Sequence, residues 1–193
     1  NSQVPLAPWM YAPVEGRRRV VLTSGSRSIF VPTLGADFFR PLLQTPLLRR
    51  DDVDVVVATS EAVAAQLREE FPGVRAGYVP LDVVARTADA VLHHGGGVTV
   101  MTLLDAGTPQ VVLPEIGASA IPLRPVDAVG ASITLPPVPG DTEAIEGALG
   151  RMLDDSPHGL CRGHQGTLSA GHRRRGAGNR LWRPRTQQNL QDR

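Results

Sequence analysis

Val91-Leu92-His93-His94-Gly95-Gly96-Gly97-Val98-Thr99 is the stretch best suited to chemistry. A β-branched run passes into three glycines and then into a helical pattern. Glycine lets backbone approach a ligand closely and adopt positive φ. A helix N-terminus behind it offers free N–H groups and partial positive charge. Together they suit two linked phosphates at the carboxyl end of a parallel strand, with a histidine as an added donor. On residue types alone, the same run also reads as a tight strand-to-helix turn around a core histidine.

The pattern excludes several commoner sites. It lacks G-x-G-x-x-G, and no acidic residue follows a second strand where a ribose partner belongs. Lysine is absent from the chain, so there is no P-loop. His93 and His94 are adjacent and the remaining histidines lie near the C-terminus, which gives no metal-ligand spacing.

Such a turn must be held by a sheet. Apolar runs at 19–23, 53–58, 74–78, 90–93, 110–113 and 131–135 read as strands covered on both faces. Helical patterns alternate with them. Ser60 to Glu70 has Ser60 as N-cap and Ala62, Val63, Leu67 and Phe71 near one face. Leu81 to Thr87 is short, and Thr99 to Ala106 ends at Gly107 as C-cap. Asp141 to Leu153 carries Ile145, Leu149 and Met152 on one stripe. The alternation predicts an α/β, Rossmann-like, doubly wound parallel sheet over residues 17–156. Residues 1–16, with Pro5, Pro8 and Pro13, read as an extended arm.

At 193 residues, 41% of them hydrophobic, the chain can bury one core of medium size. Aromatics are only 4%, so that core must be mostly Val, Leu and Ala. No apolar run can span a bilayer, and Asn1-Ser2-Gln3 does not open a signal peptide, so the expected compartment is the cytoplasm. The single cysteine, Cys161, excludes an internal disulfide and lies in a Gly/Arg/His-rich context that gives it no role. The net charge of +1 hides a split. Residues 1–156 hold 12 arginines against 18 acids, whereas residues 157–193 hold 8 arginines against Asp192 alone. That basic tail has neither helical nor strand period and reads as irregular. A GC-rich coding sequence read out of frame yields the same composition, so an indel near codon 156 is one explanation of it. Nucleic-acid binding is disfavoured, because the tail carries Trp182 as its one aromatic residue and no recognised motif.

The sequence resembles the GT-B glycosyltransferases. The carriers are His93-His94-Gly95-Gly96-Gly97-Val98-Thr99 followed by Ala106-Gly107-Thr108-Pro109-Gln110-Val111-Val112-Leu113-Pro114. Val98 stands where most members have glycine. That variant is similar to actinomycete deoxysugar transferases of the urdamycin (angucycline) C-glycosyltransferase type. Pro5 to Tyr11, Leu22 to Arg27 and Val79 to Val84 agree with it, and the likeness runs from residue 5 to about 153.

The resemblance implies a domain that binds a dTDP- or UDP-deoxysugar, one half of a GT-B fold. It assigns the diphosphate to His94, Gly96, Gly97, Val98 and Thr99, with Ser24, Gly25 and Ser26 from the loop after the first strand. Tyr78 would stack on the base, Val79 would offer backbone to the base edge, and Thr102 would face the pentose. It implies no metal and no cofactor beyond the nucleotide sugar. The catalytic base and most of the aromatic polyketide acceptor site would belong to a preceding domain, so no catalytic residue is expected in this chain. Glu115 to Pro122 lacks the polar pair with which many relatives bind sugar hydroxyls. It fits either an apolar wall for a deoxysugar or a damaged sugar site. The alternatives are a sugar-nucleotide epimerase on the same fold and an inactive nucleotide-sugar-binding module. A homodimer is left open.

Overall fold

A computed structural model describes residues 6–25, 35–114, 123–136 and 141–155. Six strands form one parallel sheet: β1 (Arg18–Thr23), β2 (Val53–Ala58), β3 (Arg75–Gly77), β4 (Ala90–His93), β5 (Gln110–Val112) and β6 (Ser132–Thr134). Their order is β3-β2-β1-β4-β5-β6. The chain builds outward from β1 through β2 to β3, then returns to the other side of β1 for β4, β5 and β6. The order therefore reverses between β1 and β4, which opens a crevice beyond their carboxyl ends. The expected Rossmann-like sheet is the one observed.

The helices are α1 (Pro8–Tyr11), α2 (Ala36–Leu43), α3 (Glu61–Glu70), α4 (Leu81–Val84), α5 (Gly97–Ala106), α6 (Arg124–Ala128) and α7 (Thr142–Asp155). Strand residues alternate between two apolar layers, as a period of two requires. Val20, Leu22, Val57, Leu92 and Val111 join Phe39 and Leu42 of α2, Leu67 of α3 and Leu149 of α7. Val21, Val56 and Val91 meet Met10 of α1, Val84 of α4 and Leu103 of α5 on the other side. Burying each such aliphatic side chain contributes about 1.5–3 kcal/mol, and with few aromatics the chain relies on many of them.

Local signals fix the helix ends. Ser60 Oγ accepts from the Val63 amide at the start of α3, and Asp141 Oδ1 accepts from the Ala144 amide at the start of α7 at 3.0 Å. Gly107 closes α5 in the left-handed conformation (φ 68°). The stripe of Ile145, Leu149 and Met152 is buried as its spacing requires.

Several expected bounds change. β3 ends at Gly77, which leaves Tyr78 outside the strand. α5 begins at Gly97 rather than Thr99. The segment 81–87 divides into α4 and a 3₁₀ turn at Ala85–Thr87. On α3, Ala62 is exposed and Ala64 is buried in its stead, because 64, 67 and 71 recur at helical spacing and 62 falls off that stripe. α2 has no counterpart in the sequence reading. Its Pro41 signals a helix break, yet Phe39 and Leu42 bury almost completely.

The arm is docked rather than free-running. Met10 of α1 is 6% exposed, and Trp9 packs on the layer of α4 and α5. Its backbone is held by Arg19, a fully buried arginine on β1. Arg19 Nη2 donates to the Trp9 and Ala12 carbonyls, both at 2.9 Å. Nε donates to Asp54 Oδ2 at 2.9 Å, and Nη1 to Thr87 Oγ1 at 3.0 Å.

Candidate functional site

At the carboxyl edge of β4 the two histidines take opposite roles. His93 is fully buried on the α5 side of the sheet. Its Nδ1 accepts the Gly95 N–H at 3.1 Å, so Nε2 carries the proton and donates to Gln110 Oε1 at 3.0 Å. Gln110 in turn reaches the Val100 carbonyl of α5 at 3.4 Å. Burial pushes the His93 pKa down to about 4, against the opposing pull of the Gln110 hydrogen bond. His93 is thus the core histidine of the turn, and it ties β4, β5 and α5 together around the glycines.

Folding favours neutral His93, so between pH ~6.5 and ~4 the unfolded chain takes up a proton that the folded chain refuses. Stability from this group is complete above the upper bound and falls as the pH drops through the window. The full loss is about 3 kcal/mol. Urea unfolding at pH 7.5, 5.5 and 4.5 should show a steeper acid loss for the unaltered chain than for His93→Gln. Equal slopes would rule the assignment out.

His94 is buried and lies against two glycines. A Cβ on Gly96 would stand 2.7 Å from His94 Nε2, and a Cβ on Gly25 would stand 2.7 Å from its Cε1. The imidazole therefore sits between the loop after β1 and the turn after β4, at the point where strand order reverses. Gly25 also has φ +65° and Gly95 φ +88°. A side chain on Gly95 would meet Val112 Cγ1 at 3.1 Å. All three positions need glycine for a stated steric reason.

Gly96 is the N-cap of α5 and no side chain caps that end. Its carbonyl accepts from Val100 N at 3.0 Å, so the amides of Gly97, Val98 and Thr99 lie in the first turn, where no intrahelical acceptor exists. No acidic residue occupies that turn. Thr99 is buried, whereas Val98 is 85% exposed and Met101, one turn on, is also exposed. The sequence thus brings together Gly25, His94, Gly96, Gly97, Val98 and Thr99, with Ser24 buried beside them at the end of β1.

Tyr78 is half-exposed just past β3, and Val79 is buried against α4. Thr102 is on α5, where its hydroxyl donates to the Val98 carbonyl at 2.8 Å. It can therefore offer a ligand its lone pairs in this arrangement. Ser26, the Glu115 to Pro122 segment and the tail 157–193 lie outside the described residues. Among the described residues no cluster of three or more His, Cys, Asp or Glu could hold a metal, and no helix is long and apolar enough to cross a membrane. A cleft of about 760 Å³ opens at the opposite, amino-terminal edge, lined by Arg49, Asp54, Glu70 and Arg75 among others. It is remote from the strand-order reversal where ligands of open parallel sheets bind.

The model of the Erythromycin biosynthesis protein CIII-like C-terminal domain matches residues 46–163, more than half of the chain. The chain belongs to this EryCIII-like family of glycosyltransferase domains. Relatives of the family include the L-demethylnoviosyl transferase of Streptomyces niveus, 30% identical over 82% of this chain and 41% of its own length. The aclacinomycin-T 2-deoxy-L-fucose transferase of Streptomyces galilaeus is 31% identical over 80% of this chain and 35% of its own. Among solved structures, the glycosyltransferase SnogD from Streptomyces nogalater matches with a TM-score of 0.64 and 29% identity, covering 84% of this chain and 41% of that one. The glycosyltransferase VinC, solved with dTDP, matches with a TM-score of 0.59 and 26% identity, covering 83% of this chain and 39% of that one. The EryCIII-like domain described here spans about two fifths of the length of these relatives.

Proposed function

We propose that the chain is the donor-binding domain of an inverting glycosyltransferase that takes a dTDP- or UDP-deoxysugar and serves an aromatic polyketide acceptor. The observation that carries this reading is His94, held between Gly25 and Gly96 beside the uncapped start of α5. A diphosphate there meets backbone N–H groups, a favourable helix dipole and an imidazole donor at once. The dTDP bound in VinC supports it, as do the deoxysugar names of the relatives.

In this reading Gly96, Gly97, Val98 and Thr99 cradle the diphosphate with His94, helped by Ser24, Gly25 and Ser26. The base stacks on Tyr78, whose ring offers area at low entropic cost, and its edge meets Val79. Thr102 accepts from the pentose. An acceptor nucleophile, deprotonated by a base outside this chain, attacks the anomeric carbon in line as the bond to the diphosphate oxygen breaks. Negative charge then gathers on the diphosphate, where preorganised donors stabilise it more than in the ground state. The residues need no metal and no second cofactor for this role, and the compartment is the cytoplasm.

Titration calorimetry of the 193-residue chain with dTDP should show one saturable site, with no sugar transfer by this chain alone. Absence of binding by both dTDP and UDP would end the proposal. Transfer by the isolated polypeptide would overturn its placing of the base elsewhere.

A further inference from the structure

Strand register places a third residue beside the two loops already described. Leu22 is level with Val57 on one side and Leu92 on the other, and all three face the layer of α2, α3 and α7. Side chains repeat their direction every second residue along a strand. Two residues beyond these leucines and valine stand Thr59, Ser24 and His94, in spatial order β2, β1, β4. The pairing of β2 with β3 persists that far, since the Thr59 amide donates to the Gly77 carbonyl at 2.9 Å. The contact between Gly25 and the His94 ring confirms that the β1 and β4 ends of this row adjoin.

Ser24 is 0% exposed and Thr59 6% exposed. Among the described residues neither hydroxyl has a hydrogen-bond partner. A buried polar group left unmade costs about 1–3 kcal/mol, and native interiors carry very few of them. Two side by side at the carboxyl edge of adjacent strands, next to His94, form an incomplete polar row. Nothing in the sequence pattern singles out Thr59, which follows an apolar strand as an ordinary loop residue would.

We propose that Thr59 is a further donor-binding residue, its hydroxyl acting with that of Ser24 on a phosphate oxygen of the nucleotide. This rests on the reading of the glycine turn as the diphosphate site and extends that site by one strand, toward β3. Two O–H donors and the His94 imidazole then form a line across β2, β1 and β4. The anion completes what the protein alone leaves open, so the hydroxyls contribute to affinity rather than to folding.

The test uses the 193-residue chain, with Thr59→Val to remove the hydroxyl at constant shape and Thr59→Ser to keep it. Calorimetry with dTDP and with thymidine should be paired with thermal unfolding. Thr59→Val is expected to weaken dTDP binding about 10- to 150-fold, the worth of one hydrogen bond to a charged group. Thymidine binding and the unliganded Tm should stay the same or the Tm rise, and Thr59→Ser should bind dTDP like the unaltered chain. Unchanged dTDP affinity in Thr59→Val overturns the proposal while leaving the glycine-turn reading intact. So does an equal loss for thymidine, which would place Thr59 at the nucleoside. A fall in Tm with affinity unchanged would show a structural hydroxyl bridged by water, and also overturns it. Failure of the unaltered chain to bind either dTDP or UDP overturns both readings together.

Discussion

Arg19→Met is expected to lower the unfolding free energy by about 3–5 kcal/mol, the usual cost of stripping one partner from a buried charge pair. The guanidinium is fully buried and uses Nε, Nη1 and Nη2 on Asp54, Thr87, Trp9 and Ala12. Asp54 is 4% exposed and would keep Arg75 at 3.1 Å and the Val14 amide at 3.5 Å. Two arm carbonyls would lose their donor. Arg19→Lys should recover little, because an ammonium cannot reproduce the planar fork that spans these acceptors. Arg19→Met combined with Asp54→Leu should recover a large part of the loss, since an apolar pair leaves no stranded charge. Urea unfolding measures the stability, and limited proteolysis across residues 6–16 measures whether the arm has come away. An unchanged midpoint with an arm still protected would refute the role given to Arg19.

His94→Ala removes a buried ring packed between Gly25 and Gly96, so its effect on the ligand is read beside the unfolding midpoint. Binding of dTDP should weaken at least tenfold, and in a complete enzyme kcat should fall about 10²–10³-fold, the cost of losing one donor to developing charge. Gly96→Ala offers an independent approach to the same group. Its methyl would stand 2.7 Å from Nε2 and 2.9 Å from Cε1 of His94, so the imidazole must move although no donor has been deleted. Loss of affinity in both variants, with both still folded, places the ring in the site. Normal dTDP binding by His94→Ala would remove it.

The interior strands were legible because nothing competes with their signal. Arg18–Thr23, Val53–Ala58 and Ala90–His93 are apolar runs covered on both faces, and all three emerge at or within one residue of the expected bounds. Strands β3, β5 and β6 are shorter than their apolar runs, because the regular ladder stops before the run does. Leu113 and Leu135 each donate one last backbone bond, to the His93 and Val112 carbonyls, and pack against the core as partly buried side chains. α2 was hidden by Pro41, whose missing N–H argues against a helix unless burial of the neighbouring Phe39 and Leu42 outweighs it.

At the candidate site the glycine turn could be read from residue pattern and His94 was implied by the family resemblance, but the role of His93 could not be read. It depends on Gln110, 17 positions away from His93 and brought beside it by the pairing of β4 with β5. Arg19 shows the same limit. The run 19–23 reads as a buried strand, but what satisfies a buried arginine there is not local: its acceptors at Asp54 and Thr87 are 35 and 68 positions distant. Thr59 and Ser24 become a pair only once the register of β1 against β2 is known.

The clamp on the arm also decides where motion can occur. Trp9 and Ala12 are tethered through their carbonyls to the interior of the sheet, and Met10 is sealed beneath α4. The segment Pro8–Ala12 therefore travels with this domain as one rigid piece. The docked turn is thus a piece of this domain's own core: removing Trp9 to Ala12 would strip Arg19 Nη2 of two carbonyl acceptors and uncover the layer of α4 and α5.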